Sequence, residues 1–202
     1  MKKIILFSFL SLFVLSVYSQ DDDDQDSQSK AYFGVSLGLA MPGGDVKDEA
    51  GLLTGIDLGF INFGYRFSET LGVTLNLVSS GHVADDYVDE TTVGVGYFGI
   101  GPTYTASLGE NVSWDIKPQL ALGMIGKVRG QGAFDEFDWK GSGFVFGNSI
   151  VFGTSKGIKA SINLDYLSGK FTEAEYGGVS VEVTEDNKFS KFVIGAGVRY
   201  NF

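Results

Sequence analysis

Residues 191–202, which end the chain, read KFVIGAGVRYNF. Apolar side chains recur at every second position from Phe192 to Phe202, and the positions between them hold lysine, glycine, arginine and asparagine, with Val193 as the one exception. A period of two is typical of a β-strand that has one apolar and one polar face. This stretch therefore predicts a C-terminal strand and serves as a template for the rest of the chain.

The same alternation recurs from Ala31 onward, where we find no convincing amphipathic helix. Two stretches change phase, near Phe60 and near Tyr97 and Phe98, and a β-bulge explains such a change because it inserts one extra residue. The orientation of residues 141–153 stays open, since both faces of that stretch are apolar. We predict about eight strands, which fall in residues 33–41, 51–67, 71–77, 91–105, 112–124, 141–153, 158–166 and 192–202.

Short and long connections alternate between these strands. The short ones are residues 68–70, 107–111 and 153–157, and the long, mostly polar ones are residues 42–50, 81–90, 126–140 and 168–187. Strict alternation is typical of an up-and-down meander whose two ends differ, as in outer-membrane barrels with short periplasmic turns. The sequence therefore predicts an all-β fold, an eight-stranded antiparallel up-and-down transmembrane β-barrel, over residues 31–202.

The two faces of the predicted strands indicate which one meets lipid. One face carries bulky aliphatic and aromatic residues, among them Met124, with hardly a charge, whereas Gly, Ser, Thr and Asn dominate the other. The lumen of an eight-stranded barrel is just wide enough for side chains to fill, so small residues fit inside and bulky ones would overfill it. We expect the apolar face to look outward, with an aromatic girdle near the short turns that includes Tyr32 and Phe33.

Charged residues on the polar faces need partners inside the lumen, because a buried charge persists only when it is paired and hydrogen-bonded. We predict that they form a salt-bridge network, and we favour a plug that holds the barrel shape over a path for protons or ions. The predicted members are Asp57, Asp115, Lys117, Lys159, Asp165, Lys191 and Arg199.

The N-terminal residues predict an exported protein. Residues 1–19 combine a positive start, an apolar run and small residues before a cleavage point, as in a secretory signal peptide. The alternative, a membrane anchor helix, fits less well because the apolar run is shorter than the ~20 residues of a span. Residues 20–30 begin QDDDDQDSQS, and without an apolar residue there we expect a disordered acidic tether. Cation binding by Asp21–Asp24 is the other interpretation of that run.

The composition excludes several kinds of site. The 202 residues include no Cys and one His, and the formal net charge is −10. Thiolate metal sites are therefore impossible, and the clustered Lys and Arg that neutralise nucleic-acid phosphates are missing. A Gly-x-Gly-x-x-Gly match at residues 94–99 lies inside a strand with no helix after it, so it does not predict a phosphate site. We expect no cofactor, no bound metal and no nucleic-acid partner.

The final strand also resembles a known signal. Val198, Tyr200 and Phe202 form an apolar alternation that ends the chain on Phe. This resembles the C-terminal assembly signal of bacterial outer-membrane barrels, and with the signal peptide and the meander the chain resembles a small barrel of the OmpX/OmpW-like or porin-family kind. The Ser-Gln at the end of the predicted signal peptide is similar to those of Bacteroidota. The resemblance implies an outer-membrane location among lipid and lipopolysaccharide, and recognition by the barrel-assembly machinery.

Several functions remain open at this point. The first is a side-chain-filled barrel with an envelope structural or surface-interaction role, in which the long acidic loops contact a protein partner. Alternation at Val179–Val183 predicts that the last hairpin extends beyond the membrane and offers an edge to a partner strand. The alternatives are a narrow channel for small or hydrophobic solutes, a lipid-modifying enzyme built around His82, and a soluble periplasmic binder. We interpret His82 as an exposed loop residue and expect no enzyme.

Overall fold

The computed structural model describes residues 30–85, 91–129, 137–153, 156–176 and 179–202. The predicted signal peptide and all of the predicted tether except Lys30 lie outside these ranges. Eight antiparallel strands form a closed barrel in which β8 pairs with β1, so the predicted fold is confirmed. The strands are β1 Ala31–Gly43, β2 Gly55–Arg66, β3 Leu71–Ala84, β4 Thr91–Gly109, β5 Val112–Arg129, β6 Phe137–Phe152, β7 Gly157–Tyr176 and β8 Val179–Asn201, and a short helix, α1 Asp45–Ala50, follows β1.

The outer surface of the barrel is an apolar belt. Leu37 on β1 is 59% exposed and Val198 on β8 is 53% exposed, although both lie in the middle of regular strands. On β6, Phe144 and Phe146 point outward and Val145 points inward, which settles the orientation that the sequence left open. Contact of this apolar belt with water would cost free energy, whereas lipid solvates its side chains favourably.

The two ends of the barrel differ. The turn end, as we call it, holds the three short turns after β2, β4 and β6 and both described termini, Lys30 and Phe202. Tyr65, Tyr104 and Tyr200 are exposed there, as expected of an aromatic girdle. The outward-facing members of the girdle are Phe33, Tyr65, Phe67, Tyr104, Trp114, Phe152, Tyr200 and Phe202.

Tyr32 is not in the girdle. Its side chain is buried inside the lumen, so the prediction that it faces the membrane boundary is wrong. The reason is strand parity, because Phe33 faces outward and its sequence neighbour must face inward.

Two of the β-bulges in the barrel bear on the phase changes read from the sequence. An extra residue of β2 at Phe60 and Ile61 interrupts its pairing with both β1 and β3, which confirms the bulge predicted there. The phase change near Tyr97 is not a bulge of β4. The extra residue belongs to β5, where Gly123 has φ +55°, and it turns Met124 into the lumen. The prediction that Met124 faces lipid is therefore wrong.

The strands continue past the belt at the opposite end, which we call the loop end. A strand needs about 9–11 residues to cross a bilayer, whereas β4, β7 and β8 have 19, 20 and 23 residues. Much of what the sequence indicated as long polar loops is therefore strand, and the extension predicted for the last hairpin is confirmed by pairing from Tyr176↔Val179 onward.

Helix α1 corrects the expectation that no helix follows Ala31. It has six residues, too few to show a helical period in the sequence. Its residue Val46 is buried. Gly51, with φ +58°, ends the helix in the left-handed conformation that glycine adopts at little cost. Within the described ranges, no helix is long and apolar enough to cross a membrane.

The lumen is filled by side chains in two zones. Toward the turn end the inner face is polar and charged, as predicted. Toward the loop end it is apolar, which the sequence did not predict, because Val93, Val95 and Tyr97 of β4 face inward there. This inner core comprises Val46, Leu52, Ala84, Val93, Val95, Tyr97, Ala121, Met124, Val145, Leu167, Phe171 and Phe189.

Candidate functional site

A charged cluster occupies the lumen at the turn end. Asp115 on β5 is fully buried and accepts a hydrogen bond from Arg199 Nη1 on β8 at 2.5 Å. Thr105 Oγ1 donates to the other carboxylate oxygen at 2.7 Å. Arg66 Nη2 stands 3.6 Å from the same oxygen as Thr105, which is an ion-pair distance. Asp115 therefore forms a hydrogen-bonded ion pair with Arg199 and a longer ion pair with Arg66.

Tyr32 packs against this cluster from the neighbouring strand. The Arg199 guanidinium lies over the Tyr32 ring, 4.3 Å from its centroid. On the other side the ring lies against Gly64, its cross-strand partner on β2, where a Cβ would come within 2.2 Å of Tyr32 Cε1. The glycine therefore makes room for a ring that holds the arginine in place.

A second polar layer lies nearer the middle of the barrel. Lys191 on β8 forms a buried salt bridge with Asp57 on β2. Lys117 Nζ donates to Ser149 Oγ at 2.7 Å, and the same hydroxyl donates to Asn163 Oδ1 at 2.7 Å. The Lys191–Asp57 pair links strands that are not neighbours in the ring, whereas the two hydrogen bonds of Ser149 join the adjacent strands β5, β6 and β7.

Three members of the predicted network, Lys117, Lys159 and Asp165, are not in salt bridges within the described ranges. Asp165 accepts a hydrogen bond from the Asn148 backbone N–H at 3.2 Å, and no lysine or arginine of those ranges lies within salt-bridge distance of it. Lys159 is buried, yet no described carboxylate reaches its ammonium. The predicted residues thus form two separate salt-bridged pairs and a set of hydrogen bonds.

Arg66 is a lumen residue that the sequence interpretation missed. The bulge at Phe60 shifts the inward phase of β2, so that Asn62, Gly64 and Arg66 follow one another on the inner face. That shift was predicted, and extending it by six residues would have found Arg66.

The apolar zone closes the lumen at the loop end. Phe171 and Phe189 are fully buried and pack with centroids 6.3 Å apart. Trp139 on β6 packs edge-on against Phe171 at 5.5 Å. Beside this plug, between α1 and β4–β6, a mostly apolar cavity of about 180 Å³ is lined by Val46, Glu49, Ala50, Thr91, Val93, Val95, Gly126, Val128, Trp139 and Phe171.

His82 lies in this zone, and its interpretation as an exposed loop residue is wrong. Its side chain is 2% exposed because β3 continues through it to Ala84 with the ring pointing inward. Nδ1 lies 3.1 Å from the Leu53 carbonyl oxygen and Nε2 lies 3.1 Å from Ser80 Oγ. Both ring nitrogens therefore have partners, and the adjacent Ser80 hydroxyl is buried as well.

The outer face of the barrel above the belt carries an ion-pair ladder. Lys127 Nζ on β5 lies 3.0 Å from Asp138 on β6, and Lys140 on β6 lies 2.5 Å from Glu175 on β7. The Glu175 carboxylate accepts a hydrogen bond from the Lys140 ammonium and raises the pKa of that lysine, which lies beyond the membrane-spanning part of the barrel. Within the described ranges, no group of three or more His, Asp or Glu side chains is placed to hold a metal ion.

The β7–β8 hairpin extends beyond β1 at the loop end, while β6 pairs with β7 as far as Asp138↔Glu175. β1 pairs with β8 only as far as Gly43↔Ser190, so residues 179–189 lie beyond the end of β1. Val179 and Val181 at its tip are 65% and 60% exposed. Val181 is opposite Ala174, while Glu173 is opposite Glu182. Because facing residues share a side of the ladder, one face of the hairpin is apolar and the other acidic.

The predicted assembly signal lies on the outer face of β8. Val198 and Tyr200 are exposed, and the Tyr200 and Phe202 rings meet edge-on with centroids 5.1 Å apart. The Phe202 backbone N–H donates to the Ala31 carbonyl at 2.9 Å, so the last residue still pairs with the first strand. Recognition of these residues by assembly machinery stays a prediction.

Solved structures show which known proteins share this architecture, although no protein-family model and no curated protein matches the chain. Neisserial surface protein A (NspA) matches with a TM-score of 0.58 and 14% identity, over 88% of this chain and 100% of that one. Ail, the attachment invasion locus protein of Yersinia pestis, matches with a TM-score of 0.53 and 13% identity, over 86% and 100%. Its complex with the heparin analogue sucrose octasulfate gives 0.51 and 14%, over 86% and 100%.

The chain has the fold of the small outer-membrane β-barrels. The resemblance read from its final strand is thereby confirmed at the level of the fold. The apolar belt supplies the independent physical reason, because its outward side chains require lipid. The closed ring of eight strands and its outward apolar belt give the chain the architecture of a membrane-spanning β-barrel.

Proposed function

We propose that this outer-membrane barrel is a non-catalytic surface-interaction protein, and that the β7–β8 hairpin at its loop end binds a strand of a partner protein that alternates basic and apolar residues. The observation that carries the proposal is the free edge of β8 from Val179 to Val183, which no other described strand covers on that side. An uncovered edge presents backbone donors and acceptors to an incoming strand.

The two faces of the hairpin set the chemistry of the partner. Glu173, Glu175 and Glu182 share the outer face, whereas Ala174 and Val181 share the inner one. A strand added to the edge of β8 would continue both faces, so its basic residues would lie near the glutamates and its apolar residues near the valines. Alternating basic and apolar residues satisfy this requirement.

The names of the two structural neighbours agree with a surface role. One is called a surface protein and the other an attachment invasion locus protein. Ail also forms a complex with a heparin analogue. A polyanion of that kind does not fit the hairpin of this chain, because the acidic face of the hairpin would repel sulfate groups.

The packing of the barrel supports this proposal over a narrow channel and over a lipid-modifying enzyme. A channel needs a continuous path, and Phe171, Phe189 and the Lys191–Asp57 pair fill the lumen at successive levels. An enzyme needs an accessible nucleophile, and Ser80 and His82 are both buried beneath the loop end.

A peptide-binding experiment tests the proposal. The protein, purified from outer membranes into nanodiscs, is titrated with a synthetic alternating Lys-Val peptide, and amide hydrogen exchange is measured at residues 179–183. We expect binding that slows exchange at these amides. A Glu-Val peptide of the same length is the control and should not bind.

Two variants locate the binding surface. Removing residues 174–181 and joining Glu173 to Glu182 through Asn-Gly should abolish binding while the barrel keeps its heat-dependent gel shift. Val179→Lys with Val181→Lys leaves the hairpin length unchanged and should weaken binding of the Lys-Val peptide. Undiminished binding by the shortened barrel, or equal binding of both peptides, would contradict the proposal.

A further inference from the structure

We propose that the turn end of the lumen is a binding site for an oxyanion, a carboxylate or a phosphate. The site is the cavity of about 180 Å³ into which Arg66 and Lys159 face beside the Arg199–Asp115 pair. It lies at the opposite end of the barrel from the proposed strand-binding edge and does not depend on it.

The cavity is open at the turn end. Arg66, Thr105 and Lys159 line it from the barrel wall. The turns after β2, β4 and β6 surround its mouth with Thr70, Asn111 and Gly153. A small anion from the turn-end side therefore reaches the two cations without crossing the membrane belt.

Several hydrogen-bond donors in this region have no partner in the described structure. Arg66 Nε and Nη2 and Arg199 Nε and Nη2 are buried and unbonded. The 3.6 Å between Arg66 Nη2 and Asp115 Oδ1 is too long for a hydrogen bond. Buried guanidinium N–H groups without an acceptor are costly, so the region has unused capacity for oxygen ligands.

Positive charges outnumber negative charges in this region, which favours an anionic ligand as the unbonded donors do. Among the described residues, the cations Arg66, Lys159 and Arg199 share this end of the lumen with one buried carboxylate, Asp115. Glu69 and Glu110 also border the cavity, but they lie on exposed turns where water and salt screen them. Two added negative charges would bring the buried cluster to neutrality, and one would halve its excess.

The chemistry of the donors selects the ligand. The planar fork of an arginine matches the paired oxygens of a carboxylate or a phosphate, and a lysine adds a point charge. The fork of Arg66 and the ammonium of Lys159, which both line the cavity, therefore favour a compact oxyanion over chloride.

This anion has two available sources. The Arg66 backbone N–H donates to the Lys30 carbonyl at 2.6 Å, so the chain before Lys30 begins beside the cavity. That chain carries aspartates at positions 21–24 and 26, and the four residues from Asp26 to Lys30 span at most about 14 Å. The ligand is either one of these carboxylates or a free phosphate.

Calorimetry with inorganic phosphate at constant ionic strength tests the site and separates the sources. The protein purified from outer membranes is compared with a variant in which Asp21–Asp24 and Asp26 are all replaced by Asn. We expect the Asn variant to bind phosphate, and Lys159→Gln in that background to weaken binding about tenfold. Lys47→Gln, on α1 at the loop end, is the matched control and should leave the affinity unchanged.

The comparison with the parent identifies the source. Phosphate binding about tenfold weaker in the parent than in the Asn variant means that the chain's own aspartates compete for the site. Equal binding in both means that the site takes free oxyanion. No phosphate binding by the Asn variant, or binding that Lys159→Gln leaves unchanged, overturns the proposal. If Lys159→Gln does not fold, Arg66→Lys, which keeps the charge but loses the fork, takes its place with the same expected loss.

Discussion

Arg199 Nη1 lies 2.5 Å from Asp115 Oδ2, and this bond joins β8 to β5 across the lumen. The two strands are not neighbours in the ring, in which β8 pairs with β7 and β1. Backbone ladders hold adjacent strands together, but only side chains connect opposite walls of a barrel. The pair therefore acts as a cross-brace at the turn end.

Removing one partner of this brace should destabilise the barrel. Arg199→Ala leaves the Asp115 carboxylate buried with Thr105 and the more distant Arg66, and we expect a loss of about 3–5 kcal/mol in the free energy of unfolding. Urea unfolding in detergent, followed by tryptophan fluorescence, measures it. An unchanged midpoint and slope would contradict a bracing role.

The double variant Asp115→Leu with Arg199→Met distinguishes the stability lost with side-chain packing from the stability lost because a buried carboxylate has no partner. It removes both charges of this bond while keeping apolar volume, and Arg66, which loses its carboxylate at 3.6 Å, still faces the open turn-end cavity. The double variant should therefore lose less stability than Arg199→Ala alone. A loss as large as that of the single variant would mean that the charges themselves stabilise the wall.

Gly64→Ala should also destabilise the turn end. The new methyl would come within 2.2 Å of a buried Tyr32 ring that Arg199 also contacts, so the ring must shift against the arginine or the strand must move. We expect a cost of about 1–3 kcal/mol, as for other overpacked sites. Gly94→Ala is the matched control, because its methyl would lie 3.9 Å from the nearest atom, the Ser80 carbonyl oxygen. Equal melting temperatures for the two variants would refute the steric argument.

The bulge on β5 makes a different prediction about glycine. Gly123 has φ +55°, where a β-branched side chain is strained and Asn is tolerated. Gly123→Val should lower the free energy of unfolding by about 1–2 kcal/mol relative to Gly123→Asn. Thermal unfolding in detergent compares them, and a valine variant as stable as the asparagine variant would show that the bulge relaxes without the left-handed residue.

That bulge also shows where sequence reasoning stops. Leu120, Leu122 and Met124 keep perfect alternation, and the adjacent apolar pair that marks the extra residue, Met124 and Ile125, lies at the end of the predicted strand. Pairing with β4 and β6 shows that Met124 is turned inward. The bulge at Phe60 is visible because its adjacent apolar pair lies in the middle of an alternating stretch. A bulge is predictable when alternation continues on both sides of it.

The polar zone of the lumen was predictable from the sequence, and the apolar zone was not. Small and charged residues at alternate positions predicted the polar part of the lumen, whose contents include Asp57, Asp115 and Arg199. Val93, Val95 and Tyr97 looked like a phase change because a membrane barrel is expected to keep its apolar side chains outside. They face inward because α1 covers that end of the lumen and gives it a dry core of its own, a tertiary effect that no single strand encodes.

Because its lumen is packed with side chains, we expect the barrel not to conduct ions across a membrane. Phe171 and Phe189 are fully buried at the loop end and Lys191 is fully buried below them, so water and ions have no continuous column of space. In planar bilayers we expect no stepwise conductance from protein whose folding is confirmed by its heat-dependent gel shift. Reproducible conductance steps from folded protein would instead support the narrow-channel alternative.

The hairpin beyond the belt contains a built-in weakness, because Glu173 and Glu182 are directly opposite each other on β7 and β8. Like charges at facing positions destabilise a ladder, and Glu182→Lys replaces the repulsion with an attraction. We expect amide exchange at residues 179–183 to slow by roughly two- to fivefold, with Glu182→Gln falling between the variant and the parent. Because the same change removes an acid from the outer face, it should weaken binding of the Lys-Val peptide while it stabilises the hairpin. The two readouts must therefore move in opposite directions, and a variant that is both better protected and a better binder would show that hairpin order, not acidic charge, governs recognition at this edge.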